Sequence, residues 1–214
     1  MKSFKHEFLS EAIKNNVLTF GEFELKSGRR SPYFFNAGKF SSGSAITMLG
    51  RCYAAAIVES NLQFDILFGP AYKGIPITIS TALALYEMYG LEVRYCYNRK
   101  ERKTHGEGGK FVGAPPVGNI LIIDDVITAG TAVREVFQML DDENQASVVG
   151  VVVGLDRREI MVDGDSVAQN LQKNFSVPII SVVDIDDIFE FLLERPEMRL
   201  WADEVGRYRS KFGI

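Results

Sequence analysis

Two adjacent carboxylates, Asp124 and Asp125, lie between an apolar run at 120–123 and the short run Thr128-Ala129-Gly130-Thr131. Backbone N–H groups, threonine hydroxyls and a glycine that permits close approach of the chain are the features of a phosphate-binding turn. Because like charges repel, the two acids are unsuited to the phosphate itself; they suit sugar hydroxyls or a hydrated metal ion. The spacing therefore indicates a phosphorylated sugar as the ligand.

This turn needs a strand before it and a helix after it. The continuous apolar run at 120–123 is typical of a parallel strand covered on both faces. Beyond the turn, apolar residues recur at helical spacing: Ala132, Val133, Val136, Phe137 and Leu140. The turn then meets a helix N-terminus, where unpaired N–H groups and the helix dipole attract anions. These residues alone leave open the simpler interpretation, that the acids merely end a strand and the turn is an ordinary one.

A second unusual segment, residues 98–117, is basic and rich in glycine. Five of the twelve residues between 99 and 110 are Lys or Arg, although the whole chain carries a net charge of -4. A connection of this length within a compact domain is usually functional, and clustered cations attract a polyanion. We expect a mobile catalytic loop that covers a pyrophosphate. A solvated charged hairpin without a ligand is the alternative.

The rest of the chain supplies alternating strand and helix patterns. Strands are expected near 65–68, 92–97, 119–123, 147–153 and 179–183, with helices between and after them. This alternation predicts an α/β fold with a doubly wound, mostly parallel sheet and flanking helices, with ligands at the carboxyl ends of the strands. Residues 1–40 do not follow the alternation, so we expect them to form a small hood over the site. The whole of 1–214 is predicted to be one domain.

Composition limits the classes of protein to consider. Hydrophobic residues make up 46% and charged residues 24%, which is ordinary for a globular protein. The two cysteines, Cys52 and Cys96, form no C-x-x-C pair, which argues against a disulfide scaffold or zinc site and fits a reducing cytoplasm. The acidic balance argues against a nucleic-acid partner, and no stretch is long enough to be a membrane span.

Several motifs together resemble a known family. The run at 122–131 resembles the phosphoribosyl-pyrophosphate (PRPP) signature of type I phosphoribosyltransferases. Four further runs resemble the bacterial orotate phosphoribosyltransferases: Phe23 to Arg29, Ser31 to Asn36, Gly69 to Pro76, and Arg99-Lys100 through Lys103-Thr104-His105 to Gly108. The resemblance extends from the opening helix to the C-terminal residue. It implies the type I phosphoribosyltransferase fold and transfer of ribose 5-phosphate from PRPP to orotate, with Mg²⁺ as cofactor.

The resemblance also implies site residues. Lys103, Asp124 and Asp125 are the expected catalytic residues, with Mg²⁺ held mainly by PRPP and water and by no direct protein ligand. Residues expected to bind PRPP are Lys26, Tyr72, Lys73, Arg99, Lys100, Lys103, His105, Asp124, Asp125, Val126, Ile127, Thr128, Ala129, Gly130, Thr131 and Ala132. Residues expected to bind orotate are Lys26, Phe34, Phe35, Thr128 and Arg157. Whether Arg157 or the adjacent Arg158 holds the orotate carboxylate stays open.

Family members form homodimers with shared active sites, so the same is expected here, with the 98–117 segment of one chain reaching over the PRPP of its partner.

Two other functions remain in view. A purine phosphoribosyltransferase would need neither a carboxylate-binding arginine nor the Tyr-Phe-Phe-Asn run at 33–36. A non-catalytic regulator that binds nucleic acid conflicts with the acidic charge balance and with the cations of the 98–117 segment.

Overall fold

The computed structural model describes residues 1–25, 27–103, 109–127, 130–141, 143, 145–161 and 164–213, with side chains omitted at 102, 103, 131 and 132. The helices are α1 (Ser3–Lys14), α2 (Gly43–Ser60), α3 (Gly74–Tyr89), α4 (Thr131–Asp141), α5 (Val167–Phe175), α6 (Ile185–Leu193) and α7 (Arg199–Phe212). The strands are β1 (Leu18–Glu24), β2 (Arg30–Phe35), β3 (Ile66–Gly69), β4 (Arg94–Lys103), β5 (Gly109–Gly113), β6 (Gly118–Ile127), β7 (Ala146–Asp156) and β8 (Ile179–Asp184). Short 3-10 helices lie at Ala37–Lys39 and Pro196–Met198.

The main sheet has the strand order β5-β4-β3-β6-β7-β8 in the described part of the chain. Five neighbouring strands run parallel: β4, β3, β6, β7 and β8. The edge strand β5 runs antiparallel to β4. Helices cover both faces, because α2, α3, α6 and α7 pack in one apolar cluster and α4 and α5 pack in another. The predicted doubly wound α/β sheet is confirmed.

The central strand β6 is covered by helices on both faces, and therefore requires a continuous apolar run. Ile120 and Ile122 face the cluster that contains α4 and α5, whereas Leu121 and Ile123 face the opposite cluster. All four side chains have no exposed surface. A strand buried on both faces has no room for alternating polar residues, so its first polar positions come where it leaves the core.

The N-terminal segment lies outside the main sheet. β1 and β2 form a separate antiparallel two-stranded sheet, and α1 packs with α2 in the larger core cluster. The side chains of β2 alternate: Ser31, Tyr33 and Phe35 point inward, and Phe34 between them is 42% exposed. This sheet lies against α7, since the Tyr33 and Tyr208 rings meet edge to face with centroids 6.1 Å apart.

The segment at 98–117 differs from the predicted long loop. β4 continues through Lys103, and β5 returns antiparallel from Gly109 to Gly113, so much of the segment is a β-hairpin. The two strands pair from Asn98 with Phe111 to Lys103 with Gly109, with an irregularity between these pairs. The glycine-rich composition of the segment had predicted a loop there instead. Residues 104–108, which include the predicted His105, lie outside the described residues. No helix in the described chain is long and apolar enough to cross a membrane.

Candidate active site

The acid pair, Asp124 and Asp125, lies where the winding of the sheet reverses. From β3 the chain passes through α3 to β4 on one side, and from β6 it passes through α4 to β7 on the other. β3 and β6 are neighbours, so the segments that follow them separate at their carboxyl ends and leave a crevice there. Doubly wound proteins bind their ligands in such a crevice.

Both acids are almost buried, each 8% exposed, and each receives a backbone hydrogen bond. The Asp125 N–H donates to Asp124 Oδ1 over 2.8 Å, and the Val126 N–H donates to Asp125 Oδ1 over 2.9 Å. Lys73, the residue before α3, places its Nζ 2.9 Å from Asp125 Oδ2. The Lys73 side chain remains 53% exposed, so a cation borders the crevice beside the acids.

A side chain of α2, in the helix layer across the sheet from α4, holds the backbone of the acid pair in place. The Tyr53 hydroxyl of α2 donates to the backbone carbonyl of Asp124 over 2.8 Å in a fully buried setting. This contact needs Gly154 in β7, because a Cβ atom there would lie 2.8 Å from the Tyr53 hydroxyl and 3.1 Å from the Asp125 carbonyl. Tyr53 and Gly154 are therefore site-supporting residues that the sequence analysis did not identify.

Burial has an electrostatic consequence for Asp124. Loss of water around its carboxyl raises its pKa to about 7, and the neighbouring charge of Asp125 contributes in the same direction. The amide of Asp125 and the charge of Lys73 oppose the shift without cancelling it. Asp124 therefore titrates near neutral pH in the ligand-free protein, and a cation or a hydroxyl donor that enters the crevice will stabilise its charged form.

The last two residues of the predicted phosphate-binding turn, Gly130 and Thr131, lie at the start of α4. Gly130 has a left-handed φ of +72°, and its carbonyl accepts the first helical hydrogen bond from the Arg134 N–H. Thr128 and Ala129 lie outside the described residues. For Thr131 and Ala132 the structure gives the backbone, which begins α4 as the sequence predicts. A helix of this length offers free N–H groups to an anion at its first turn.

Other predicted PRPP-binding residues gather at the end of β3 and along β4. The Ala71 N–H donates to Asn98 Oδ1 over 2.8 Å, which ties the β3 loop to β4. Tyr72 is 68% exposed, and Lys100 Nζ lies 4.9 Å from the centre of its ring. Arg99 is half-buried, and its Nε makes no hydrogen bond within the described residues. Lys103 ends β4, while Lys26 lies outside the described residues, as His105 does.

A cavity of about 1090 Å³ adjoins this region without containing the acid pair. It lies between the β4–β5 hairpin and α4, with Pro70, Ala71, Arg99 and Lys100 at one end and Glu135 and Met139 on the helix side. We place the site at the crevice instead, because the acids and the N-terminus of α4 meet there. Within the described residues, no group of three or more His, Cys, Asp or Glu side chains could together hold a metal ion.

The two phenylalanines predicted to bind the base lie in different surroundings. The Phe35 ring is in the core, stacked on Phe8 with a centroid distance of 6.2 Å. Phe34 is exposed and stacks on Phe23 at 5.5 Å. The structure therefore presents the ring of Phe34, and not that of Phe35, at the surface of the two-stranded sheet.

The two candidate arginines also separate. Arg157, just after β7, is 6% exposed; its Nη2 donates to Ser31 Oγ of β2 over 2.8 Å, and its guanidinium lies 4.2 Å from the Tyr33 ring centre. Arg158 turns away, with a left-handed φ of +47°, and pairs with Asp184 and Asp186 at the start of α6. Only Arg157 lies against the strand that carries Phe34 and Phe35.

Buried acids beside a helix N-terminus, bordered by cations at the switch point of a doubly wound sheet, define a protein that binds a phosphorylated ligand. Comparison with known proteins makes this more specific. Residues 37–182 match the family described as phosphoribosyl transferase domain. An orotate phosphoribosyltransferase of Pseudomonas putida (strain W619) is 52% identical over 214 residues, which is 100% of both chains.

Solved structures agree with the sequence comparison. The crystal structure of an orotate phosphoribosyltransferase from Francisella tularensis is 42% identical, has a TM-score of 0.84, and covers 97% of this chain and 99% of its own. An orotate phosphoribosyltransferase from Mycobacterium tuberculosis, in complex with PRPP, is 17% identical with a TM-score of 0.62, covers 86% of this chain and 98% of its own, and shares the fold. The chain belongs to the phosphoribosyl transferase domain family and, within it, to the orotate phosphoribosyltransferases of pyrimidine biosynthesis.

The raised pKa of Asp124 predicts how stability depends on pH. Its folded pKa of about 7 lies above the usual value of about 4, so the folded chain binds more protons between these two pH values. The free energy of unfolding therefore falls as pH rises through this window. Asp124→Asn should lack that decline, so its stability relative to wild type should rise by about 4 kcal/mol between pH 4 and pH 8, which corresponds to about three pKa units.

Urea titrations of the ligand-free proteins across this range measure the effect. Asp203→Asn is the matched control, because its carboxylate lies on the exposed surface of α7, with the side chain 58% exposed. A stability difference between Asp124→Asn and wild type that does not change with pH would contradict the assignment.

Proposed function

We propose that this chain transfers ribose 5-phosphate from PRPP to a ring nitrogen of orotate at the crevice beside the acid pair, giving orotidine 5'-monophosphate and pyrophosphate. The single observation that carries the placement is the Lys73–Asp125 pair next to the start of α4, since it joins a sugar-binding acid, a cation and a phosphate-binding helix end. The proposed compartment is the cytoplasm, which suits the two unpaired, buried cysteines.

Each part of PRPP meets chemistry that suits it. The 5'-phosphate binds the backbone N–H groups of the 128–131 turn and the first turn of α4. The ribose hydroxyls donate to Asp124 and Asp125, which are acceptors when ionised. Binding at Asp125 competes with Lys73, so the lysine becomes free to turn its ammonium toward the pyrophosphate. Tyr72, Arg99, Lys100 and His105 complete the pyrophosphate side.

Cleavage at the anomeric carbon makes the sugar cationic and leaves negative charge on the pyrophosphate. A protein accelerates such a step by placing cations where that charge develops, and no protein nucleophile is required. Lys103, the last residue of β4, is the proposed cation for the leaving group. Val126 and Ile127 hold the acid pair on β6, where Ile127 is buried.

We propose Mg²⁺ as the accompanying metal. Two adjacent carboxylates, one of them paired with Lys73, are too few for a protein-built octahedral site, so PRPP and water supply its inner ligands. When bound, Mg²⁺ neutralises part of the pyrophosphate charge. The contribution of Asp124 and Asp125 is to hold the ribose hydroxyls beside it.

Orotate is a flat ring with a carboxylate, and the base side offers partners for both. The exposed Phe34 ring contributes a planar surface, and the backbone of Phe35 contributes hydrogen bonds. Lys26 and Thr128 are proposed to border the same space. Arg157 holds the carboxylate, because it adjoins β2, while the charge of Arg158 is already balanced by Asp184 and Asp186.

Replacing Lys103 by Ala tests the reaction and its leaving-group cation. We expect orotate consumption with PRPP and Mg²⁺, followed spectrophotometrically, to fall by roughly a hundredfold or more in kcat, because the contact acts in the transition state. The melting temperature should stay within about 2 °C of wild type, since Lys103 ends β4 and belongs to neither apolar cluster. Lys14→Ala, on the exposed side of α1, is the control and should retain full activity. Full activity of Lys103→Ala would refute the assignment, and absence of orotate turnover in the wild type would refute the proposed reaction.

Replacing Arg157 and Arg158 in turn tests which arginine recognises orotate. Arg157→Ala should lower the affinity for orotate roughly ten- to a hundredfold, because a charge-assisted hydrogen bond is lost. The affinity for uracil, which lacks the carboxylate, should fall much less. Arg158→Ala should affect both ligands equally and slightly. Isothermal titration with the two ligands gives the comparison. If Arg158→Ala, and not Arg157→Ala, selectively lowers the affinity for orotate, then Arg158 is the residue that binds the orotate carboxylate.

We propose that the active unit is a homodimer. An apolar stripe follows one side of α3 and begins two residues before the helix. Its members recur at alternating spacings of four and three: Tyr72, Pro76, Ile79, Leu83 and Tyr86. Leu83 and Tyr86 are 58% and 61% exposed, which is unusual for large apolar side chains on a helix. The stripe ends at Tyr72 beside Lys100, so a partner packed on it would border the PRPP site.

Complementation tests whether the sites are shared. In the proposed dimer Arg99, Lys103 and His105 come from one chain, and Lys26, Lys73, Lys100 and the acid pair come from the other. After subunit exchange, inactive Lys103→Ala and Asp125→Asn proteins should recover about a quarter of wild-type activity, since half the dimers are mixed and have one intact site. Mixing Lys103→Ala with Arg99→Ala is the control and should recover nothing. Verified exchange without recovery in the first pair would place each site within one chain.

A further inference from the structure

Arg157 is held by groups from three separate parts of the chain. Its Nε donates to Glu159 Oε1 over 2.5 Å, and its Nη2 donates to Ser31 Oγ over 2.8 Å. The Tyr208 hydroxyl of α7 donates to the same Glu159 oxygen over 2.7 Å. The guanidinium is thus fixed in position and in rotation by β2, by the segment after β7, and by the C-terminal helix.

The directions of these hydrogen bonds are mutually consistent. Ser31 donates its hydroxyl proton to the Tyr33 carbonyl over 2.7 Å, which leaves its oxygen to accept from Arg157. Tyr208 donates to Glu159, which leaves its oxygen as an acceptor 3.5 Å from Arg157 Nη2. These hydrogen bonds use Nε and Nη2 of Arg157, so Nη1 is the amino group we assign to a ligand.

Two properties of the groups around Arg157 favour the binding of an anion by its guanidinium. Burial raises the pKa of Tyr208 to about 12, and the bond to Glu159 adds to the shift, so the hydroxyl remains a donor at neutral pH. Glu159 Oε2 also lies 3.4 Å from Arg29 Nη1, so one carboxylate faces two guanidinium groups. The group therefore keeps a net positive charge when no ligand is bound.

We propose that Glu159 and Tyr208 are positioning residues for orotate: they orient the guanidinium of Arg157 so that Nη1 meets the ligand carboxylate. They act through Arg157 and do not touch the substrate. This inference rests on the proposed role of Arg157. It makes α7, which is remote in sequence from the PRPP motif, part of the base-recognition apparatus.

A double-mutant cycle of Tyr208→Phe and Arg157→Ala tests the proposal. Tyr208→Phe removes one oxygen and keeps the ring and all charges. We expect the substitution to lower the affinity for orotate roughly three- to tenfold and the affinity for uracil less than twofold, with an unchanged melting temperature. In the Arg157→Ala background the same substitution should leave orotate affinity unchanged, because the group through which Tyr208 acts is absent.

The outcomes separate the inference from the proposed function. If Arg157→Ala weakens orotate and uracil equally, the role of Arg157 is wrong. If Arg157→Ala is selective for orotate but Tyr208→Phe has the same effect in both backgrounds, or weakens both ligands equally, the positioning role is overturned. Should Arg157→Ala fail to fold, Arg157→Lys provides the second background and retains the buried charge.

A pair of substitutions at Glu159 gives an independent readout. Glu159→Gln keeps an oxygen that accepts from Nε and Tyr208, whereas Glu159→Ala removes it. We expect the glutamine variant to retain most of the selectivity for orotate over uracil and the alanine variant to lose it. Equal loss of selectivity in both variants would show that the charge of Glu159 matters and its geometry does not, which contradicts the proposal.

Discussion

The structure depends on placing two like charges side by side at the end of a strand that is buried on both faces. Repulsion and loss of water both oppose this arrangement. The surrounding elements each offset part of that cost: the amides of residues 125 and 126 donate to the carboxylates, Lys73 pairs with Asp125, and Tyr53 fixes the carbonyl of Asp124. The sheet order brings these groups together, because β3 and β6 are neighbours.

Much of the fold could be predicted from the sequence because its strongest signals are local. A strand covered on both faces needs an uninterrupted apolar run, and residues 120–123 supply one that β6 contains. The start of α4 at Thr131 followed from the helical spacing of the apolar residues after it. The ends of the strands were harder to predict. β4 extends to Lys103, and β5 is present, because a basic segment pairs with a segment that begins and ends in glycine, and pairing is a property of neither segment alone.

The supporting residues of the site could not be found in this way. Tyr53 and Asp124 are 71 positions apart, and Arg157 and Tyr208 are 51 apart. A tyrosine on an amphipathic helix has the same pattern whether its hydroxyl meets water or a buried acceptor. For Phe34 and Phe35, strand alternation alone sends one ring outward and the other into the core, but the sequence does not say which until the partner strand is known.

Gly154 shows how a residue can matter through the volume it leaves empty. The space where its side chain would be is taken by the hydroxyl of Tyr53, which reaches across β7 to the backbone of β6. Even a methyl group at this position would push the tyrosine away from the acid pair, although it would never meet a substrate. Tolerance of substitution in this protein should therefore depend on how closely backbones approach one another, as well as on which side chains can contact a ligand.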